Sequence, residues 1–83
     1  MHEKLIGKVT HYFPDLKIAT VELTEAIKLG DELIFRHGDE EVLQTIESIQ
    51  VEDEAVHIAD AGDIVGIAVH SEVVVGTKVY KNE

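Results

Sequence analysis

The stretch Asp60 to Val69, "DAGDIVGIAV", sets a Gly-Asp pair before an apolar run that contains a second Gly. Glycine beside a polar side chain is the raw material of a phosphate cradle, in which backbone N–H groups point at an anion. The spacing does not suit that chemistry. A Walker loop needs G-x-x-x-x-G-K-[ST], whereas three residues separate Gly62 from Gly66 and no Lys follows. A dinucleotide loop needs three glycines between a strand and a helix, and this stretch runs straight into a Val/Ile-rich segment. It reads as a turn into a buried strand.

Metal and acid–base chemistry would have to come from His2, His11, His37, His57 and His70 and from the carboxylates. Zinc requires three or four convergent ligands. "EDEAVH" places Glu54 three residues before His57, which allows a mixed site at most, and no H-E-x-x-H is present. His37, His57 and His70 are expected at strand ends or in loops, and His11 inside a strand. Asp39-Glu40-Glu41 and Glu52-Asp53-Glu54 lack the glycine and bidentate-Glu spacing of a calcium loop, so they read as solvated faces. The chain has no Cys and only two Ser, Ser48 and Ser71, neither in a nucleophile elbow. No metal, cofactor or catalytic residue is assigned, and the protein is expected to be non-enzymatic.

The elements that would position these groups are strands. Val, Ile and Thr are abundant, and the apolar runs are short and end at turn residues. Strands are expected over Leu5–Phe13, Lys17–Leu23, Glu32–His37, Val42–Glu52, Asp63–Val69 and Lys78–Lys81. "FPDLK" is the first turn, because Pro14 presets φ and Asp15 can bond nearby backbone. "LGDELIF", "AGDIVGI" and "VGTKVY" each place Gly, then Asp or Thr, before a strand. Three copies of one corner look like barrel construction. Val42, Gln44 and Ile46 share one side of their strand, while Ile49 and Val51 fall on the other, so Glu47-Ser48 is a candidate bulge. Gly66 inside its strand suggests a close backbone approach or a bend. "EDEAVHIADAG" has room for one helical turn before Gly62. Val73-Val74-Val75 could form an exposed edge capable of pairing with a second copy.

With 83 residues, 45% hydrophobic and 29% charged, the chain is one globular domain spanning residues 1–83. Its apolar stretches are far shorter than the roughly 20 residues of a membrane helix, and "MHEKLIGK" lacks a signal peptide's apolar segment. A cytoplasmic protein is expected. The net charge of −10 is concentrated in His37–Asp63, which holds nine acids and no Lys or Arg. Such charge keeps a small, Val/Ile-rich domain soluble, and it also repels phosphate backbones and attracts basic partners. Aromatics are limited to Tyr12, Phe13, Phe35 and Tyr80.

The order "IGKVTHYF", "IATVEL", "KLGDELIF", "TIESIQVEDEAV" and "AGDIVGIAV" resembles domain 2 of the translational GTPases, as in elongation factor Tu. It is closer still to the C-terminal barrel of collagenase-like peptidases, which has a similar "GKVTHYF"-type start. The resemblance runs from about Leu5 to Tyr80. It implies an all-β fold, a small six-stranded closed antiparallel β-barrel of the elongation factor Tu domain 2 type. Domain 2 helps hold the aminoacylated 3′ end of tRNA. With "AGDIVG" aligned, the family's contact Glu falls on Gln50, its Arg on Asp53 and its Asn on Ile64. An Arg replaced by Asp removes a phosphate-binding fork and adds a like charge. The resemblance therefore implies an accessory barrel standing alone, in which other residues replace those that hold tRNA.

The expectation is a binding module that docks to a protein with a basic surface, in translation or in a peptidase complex. The residues expected to meet the partner are Gln50, Glu52, Asp53, Glu54 and Ile64. The alternative is an RNA-binding protein using Lys4, Lys8, Tyr12 and Lys17, which lie in the only segment with net positive charge.

Overall fold

Three corners of the chain share one geometry in the computed structural model, which describes residues 2–83. Each is a four-residue turn with glycine third: Lys28 to Asp31, Asp60 to Asp63, and Val74 to Thr77. Gly30, Gly62 and Gly76 sit at φ of 91°, 93° and 95°, the left-handed position that a type II turn reserves for glycine. The fourth residue returns its N–H to the first carbonyl, at 3.1 Å for Asp31, 3.1 Å for Asp63 and 3.2 Å for Thr77. Its side chain closes the same turn. Asp31 and Asp63 accept from the N–H groups of Lys28 and Asp60, and the Thr77 hydroxyl donates to the Val74 carbonyl. Each corner then clasps another segment of the chain through two backbone bonds. Gly30 and Asp31 hold Ile46, Gly62 and Asp63 hold Leu23, and Gly76 and Thr77 hold Val9.

A Cβ at any of the three glycines would meet open space. The cost of a side chain there is therefore conformational and not steric. Gly30→Ala, Gly62→Ala and Gly76→Ala are each expected to destabilise the fold by about 1–2 kcal/mol, by similar amounts, when compared by urea denaturation. A cost confined to one of them would show that the corners are not equivalent.

Among the described residues, ten strands connect these corners: β1 (Glu3–Phe13), β2 (Ile18–Leu23), β3 (Ile27–Lys28), β4 (Glu32–His37), β5 (Glu40–Thr45), β6 (Ile49–Val51), β7 (Glu54–Val56), β8 (Ile58–Ala59), β9 (Ile64–Ala68) and β10 (Lys78–Asn82). Every pairing is antiparallel. The main sheet runs β5-β4-β10-β1-β2-β9-β6-β7, and β3 pairs with β8 alone. The curled sheet is barrel-like and all-β. It encloses Ile6, Val9, Val21, Leu33, Phe35, Ile49, Val65, Ile67 and Val79, among other buried residues. No helix among the described residues is long and apolar enough to cross a membrane.

Several expectations need correcting. The single strand over Val42–Glu52 is two strands, and Glu47-Ser48 is no bulge within it. The chain pairs with β4 up to Thr45, changes direction through Ile46–Ser48, and pairs with β9 and β7 from Ile49. That change keeps Ile46 and Ile49 both buried, which one continuous pleat cannot do. The bulges are in β1 instead, where Ile6 and Thr10 are skipped in the ladders to β10 and β2. They bring Ile6, Val9 and Tyr12 to the core side. "EDEAVHIADAG" holds strands β7 and β8 and no helical turn. Val73–Val75 is no edge strand: Val73 is buried, and Val74 and Val75 belong to a corner. The ladder's two ends are β5 and β7. The backbone ladder does not itself close the expected six-stranded ring; the Gln44 side chain spans the seam. Its amide nitrogen donates to the Ala68 carbonyl, and its oxygen accepts from the His70 N–H at 2.9 Å.

Candidate functional site

On the outer side of β2, β9 and β6, a row of residues runs Thr20, Gly66, Gln50 across paired strands. Gly66 has no side chain, so the row has a bare floor at its centre. A Cβ built there would come within 3.1 Å of Ile18 Cγ2 and 4.0 Å of Gln50 Cβ. The close approach expected at Gly66 is thus the approach of neighbouring side chains over an open backbone.

Two turns raise walls beside this floor. The β1–β2 turn contributes Phe13 and Leu16, with Ile18 below them, and the β6–β7 turn contributes Glu52 and Asp53. Ile64 closes one end. Together they outline a groove of about 290 Å³. Phe13, Leu16 and Ile64 are 43%, 67% and 58% exposed, a concentration of apolar surface that water solvates poorly.

Both turns are built from unusual backbone. Val51 pairs with Glu54 across a two-residue turn, with Glu52 at φ 50° and Asp53 at φ 67°. This is the primed turn that matches strand twist, normally made from Asn-Gly. In the β1–β2 turn the Leu16 N–H donates to the Phe13 carbonyl at 3.2 Å. Lys17 follows at φ 54°, and its carbonyl accepts from the Val69 N–H at 2.9 Å. These three are the only non-glycine residues with positive φ among those described, and all three flank the groove.

The expected partner-binding residues fall largely in one place. Gln50, Glu52, Asp53 and Ile64 line the groove, and Glu54 is the next residue of the hairpin. Glu52, Asp53 and Glu54 are exposed and make no ion pair among the described residues. Phe13 and Leu16 are groove residues that the sequence did not single out. The signal that could have found them is the apolar Leu16 inside the turn "FPDLK", where polar residues are the rule.

Lys4, Lys8, Tyr12 and Lys17 do not assemble. Lys4 pairs with Glu25 at 3.2 Å. Lys8 is exposed between Lys78 and Glu22 on the flanking strands, whereas Tyr12 packs against the core. The bulge at Thr10 puts Lys8 and Tyr12 on opposite faces. Arg36, the chain's only arginine, is committed to structure. It bonds Glu3 at 2.8 Å and Glu41 at 2.5 Å and lies over the Tyr80 ring. The hydrogen bonds it donates to Glu3 and then to Glu41 raise its already high pKa, so it stays charged.

His37 ends β4, His57 separates β7 from β8, and His70 follows β9. His11 lies in β1, exposed, with its ring 4.7 Å from that of Phe13. Among the described residues no three His, Asp or Glu converge on a point that could hold a metal ion.

Comparison with known proteins places this geometry in a lineage. The crystal structure of the C-terminal domain of a protein assigned to the U32 peptidases, from Geobacillus thermoleovorans, superposes with a TM-score of 0.89 at 29% identity, over 96% of this chain and 93% of that one. The selenomethionine variant of that domain gives 0.85 at 29% identity, over 92% and 96%. An uncharacterized protease of Methanocaldococcus jannaschii is 32% identical over 76 residues, covering 90% of this chain. The chain spans only 19% of that relative's length. The barrel-type resemblance seen in the sequence holds, and the matching family description is domain 4 where the motif order suggested domain 2. Since the family model for elongation factor Tu domain 4 covers residues 4–83, the chain belongs to that family.

Proposed function

We propose that the domain is a non-enzymatic accessory module that docks to a protein partner with a basic surface, in translation or in a peptidase complex. One observation carries this reading: an apolar groove opens directly beside three exposed carboxylates of one hairpin. Apolar surface supplies affinity, and adjacent charge steers and orients the partner. The kinship with the C-terminal domain of a U32 peptidase supports an accessory role beside a larger functional unit. The acidic rim disfavours nucleic acid, because carboxylates and phosphates repel.

The reading is tested by affinity capture from cell extract with and without ribonuclease, scoring protein and RNA. A ribonuclease-resistant protein partner is expected. The variant Glu52→Gln/Asp53→Asn/Glu54→Gln should lower its recovery by about tenfold, the equivalent of about 1.4 kcal/mol, with unchanged folding. Undiminished capture would remove the hairpin as the contact. RNA recovered directly and lost with added salt would favour the RNA reading instead.

A further inference from the structure

We propose that the groove seats an extended segment of a partner polypeptide, with one apolar side chain over Gly66 and basic side chains meeting Glu52, Asp53 and Glu54. This rests on the docking reading above and specifies its ligand. The volume of about 290 Å³ lies at the lower edge of small-molecule sites, which run from roughly 300 Å³. It suits a large side chain and its neighbours, not a cofactor. Gly66 supplies the depth, since any side chain there would occupy the floor between Ile18 and Gln50. Phe13, Leu16 and Ile64 supply apolar contact on the remaining sides.

Charge selects the occupant and its direction. The hairpin rim carries three consecutive carboxylates, while the opposing turn carries Asp15 and Lys17, whose charges cancel. None of the three rim carboxylates has an ion-pair partner among the described residues. A basic residue is therefore attracted to the β6–β7 side, and the neutral β1–β2 side does not compete for it. A second copy of this chain is a poor occupant, because each copy has a net charge of −10. Polyanions fail for the same reason at the hairpin.

The left-handed turns make the proposal separable from folding. Asn-Gly is the favoured pair for a two-residue primed turn, yet Glu-Asp occupies it here. Glu52→Asn/Asp53→Gly should therefore raise the melting temperature while removing two rim charges. Loss of binding in that variant cannot be attributed to unfolding.

The experiment is an amide chemical-shift titration of the full chain with three peptides: acetyl-Lys-Leu-Lys-Ile-Lys-amide, the Ser-for-Leu/Ile version, and the Glu-for-Lys version. Shifts are expected at Phe13, Leu16 to Thr20, Gln50 to Glu54 and Ile64 to Gly66. Both controls should bind about tenfold more weakly or worse. Glu52→Asn/Asp53→Gly should weaken the first peptide several-fold while melting higher, and Gly66→Val should weaken it without removing a charge. Equal binding of the Lys/Ser peptide, shifts scattered over the acidic surface, or undiminished binding by the double variant would overturn the proposal. So would a concentration-dependent dimer whose shifts fall in the groove. If extract capture persists while the Lys/Leu peptide fails, the docking reading stands and this inference falls. Loss of both removes the docking reading as well.

Discussion

Gln44→Leu is expected to destabilise the protein by about 2–4 kcal/mol, despite replacing a buried polar side chain with an apolar one of similar size. The reason lies in the position of Gln44, at the seam between the edge strand β5 and the end of β9. The residue is only 8% exposed, and its amide satisfies two backbone groups at once, the Ala68 carbonyl and the His70 N–H. The side chain thereby imitates a ladder rung where backbone pairing stops. Leucine removes both bonds and strands both groups, and each bond removed contributes about 0.5–1.5 kcal/mol before the desolvation cost of an orphaned partner. For a domain of this size each kcal/mol lowers the melting temperature by about 4–8 °C. The His70 amide should also exchange faster with solvent. A loss below about 0.5 kcal/mol, the range of ordinary surface substitutions, would show that the seam holds without Gln44.

Gln44→Glu sharpens the test through pH. Its carboxylate can still accept from the His70 N–H but faces the Ala68 carbonyl with a second acceptor, in a partly desolvated place. Both effects raise the folded-state pKa above the unfolded value of about 4.3. Stability is then intact below that unfolded value and is lost as pH rises toward the folded one. The variant should accordingly be weakest at neutral pH and recover in acid, where a protonated carboxyl can donate to Ala68 as the amide does.

Gln44 also shows what the sequence can disclose. It stands in register with Val42 and Ile46, a polar residue on a strand's apolar side, and such a residue must have found partners. The three Gly-Asp or Gly-Thr corners were equally legible, since glycine marks positive φ and the next side chain marks the bond that closes the turn. Strands β1, β2, β4, β9 and β10 followed from their Val/Ile content. Less visible were β3, β7 and β8, each two or three residues long, too short for any periodicity to register. The β6–β7 hairpin was hidden for a second reason: its left-handed turn is Glu52-Asp53, with neither Asn nor Gly to announce it. Of the groove, Gln50, Asp53 and Ile64 came from alignment with related barrels and Glu52 and Glu54 from the charge run. The opposing wall of Phe13 and Leu16 depends on β2 pairing with β9, a long-range fact that the apolar Leu16 in its turn marks as unusual but does not specify.

Gly7→Ala is expected to be the more damaging of two superficially similar strand substitutions, costing about 2–4 kcal/mol. Gly7 lies in β1 just after the skipped residue Ile6, opposite Val79 on one side and Leu23 on the other. A Cβ at this point would sit 2.5 Å from the Glu22 carbonyl oxygen and 2.9 Å from Val21 Cγ1. The oxygen belongs to backbone paired on both edges, to β1 and to β9, and cannot swing aside without disturbing two ladders. Interior packing transmits such a displacement to its neighbours and does not absorb it locally. Gly66→Ala meets instead the Cγ2 of Ile18, at 3.1 Å, on a partly exposed side chain that can give by a few tenths of an ångström. Its stability change should stay within about 1 kcal/mol, helped by the smaller backbone entropy of alanine in a strand. Parallel urea denaturation of the two variants measures the difference directly. If Gly66→Ala proved as costly as Gly7→Ala, the groove floor would be a packing requirement of the barrel. A large loss at Gly7 alone leaves Gly66 free to serve the groove.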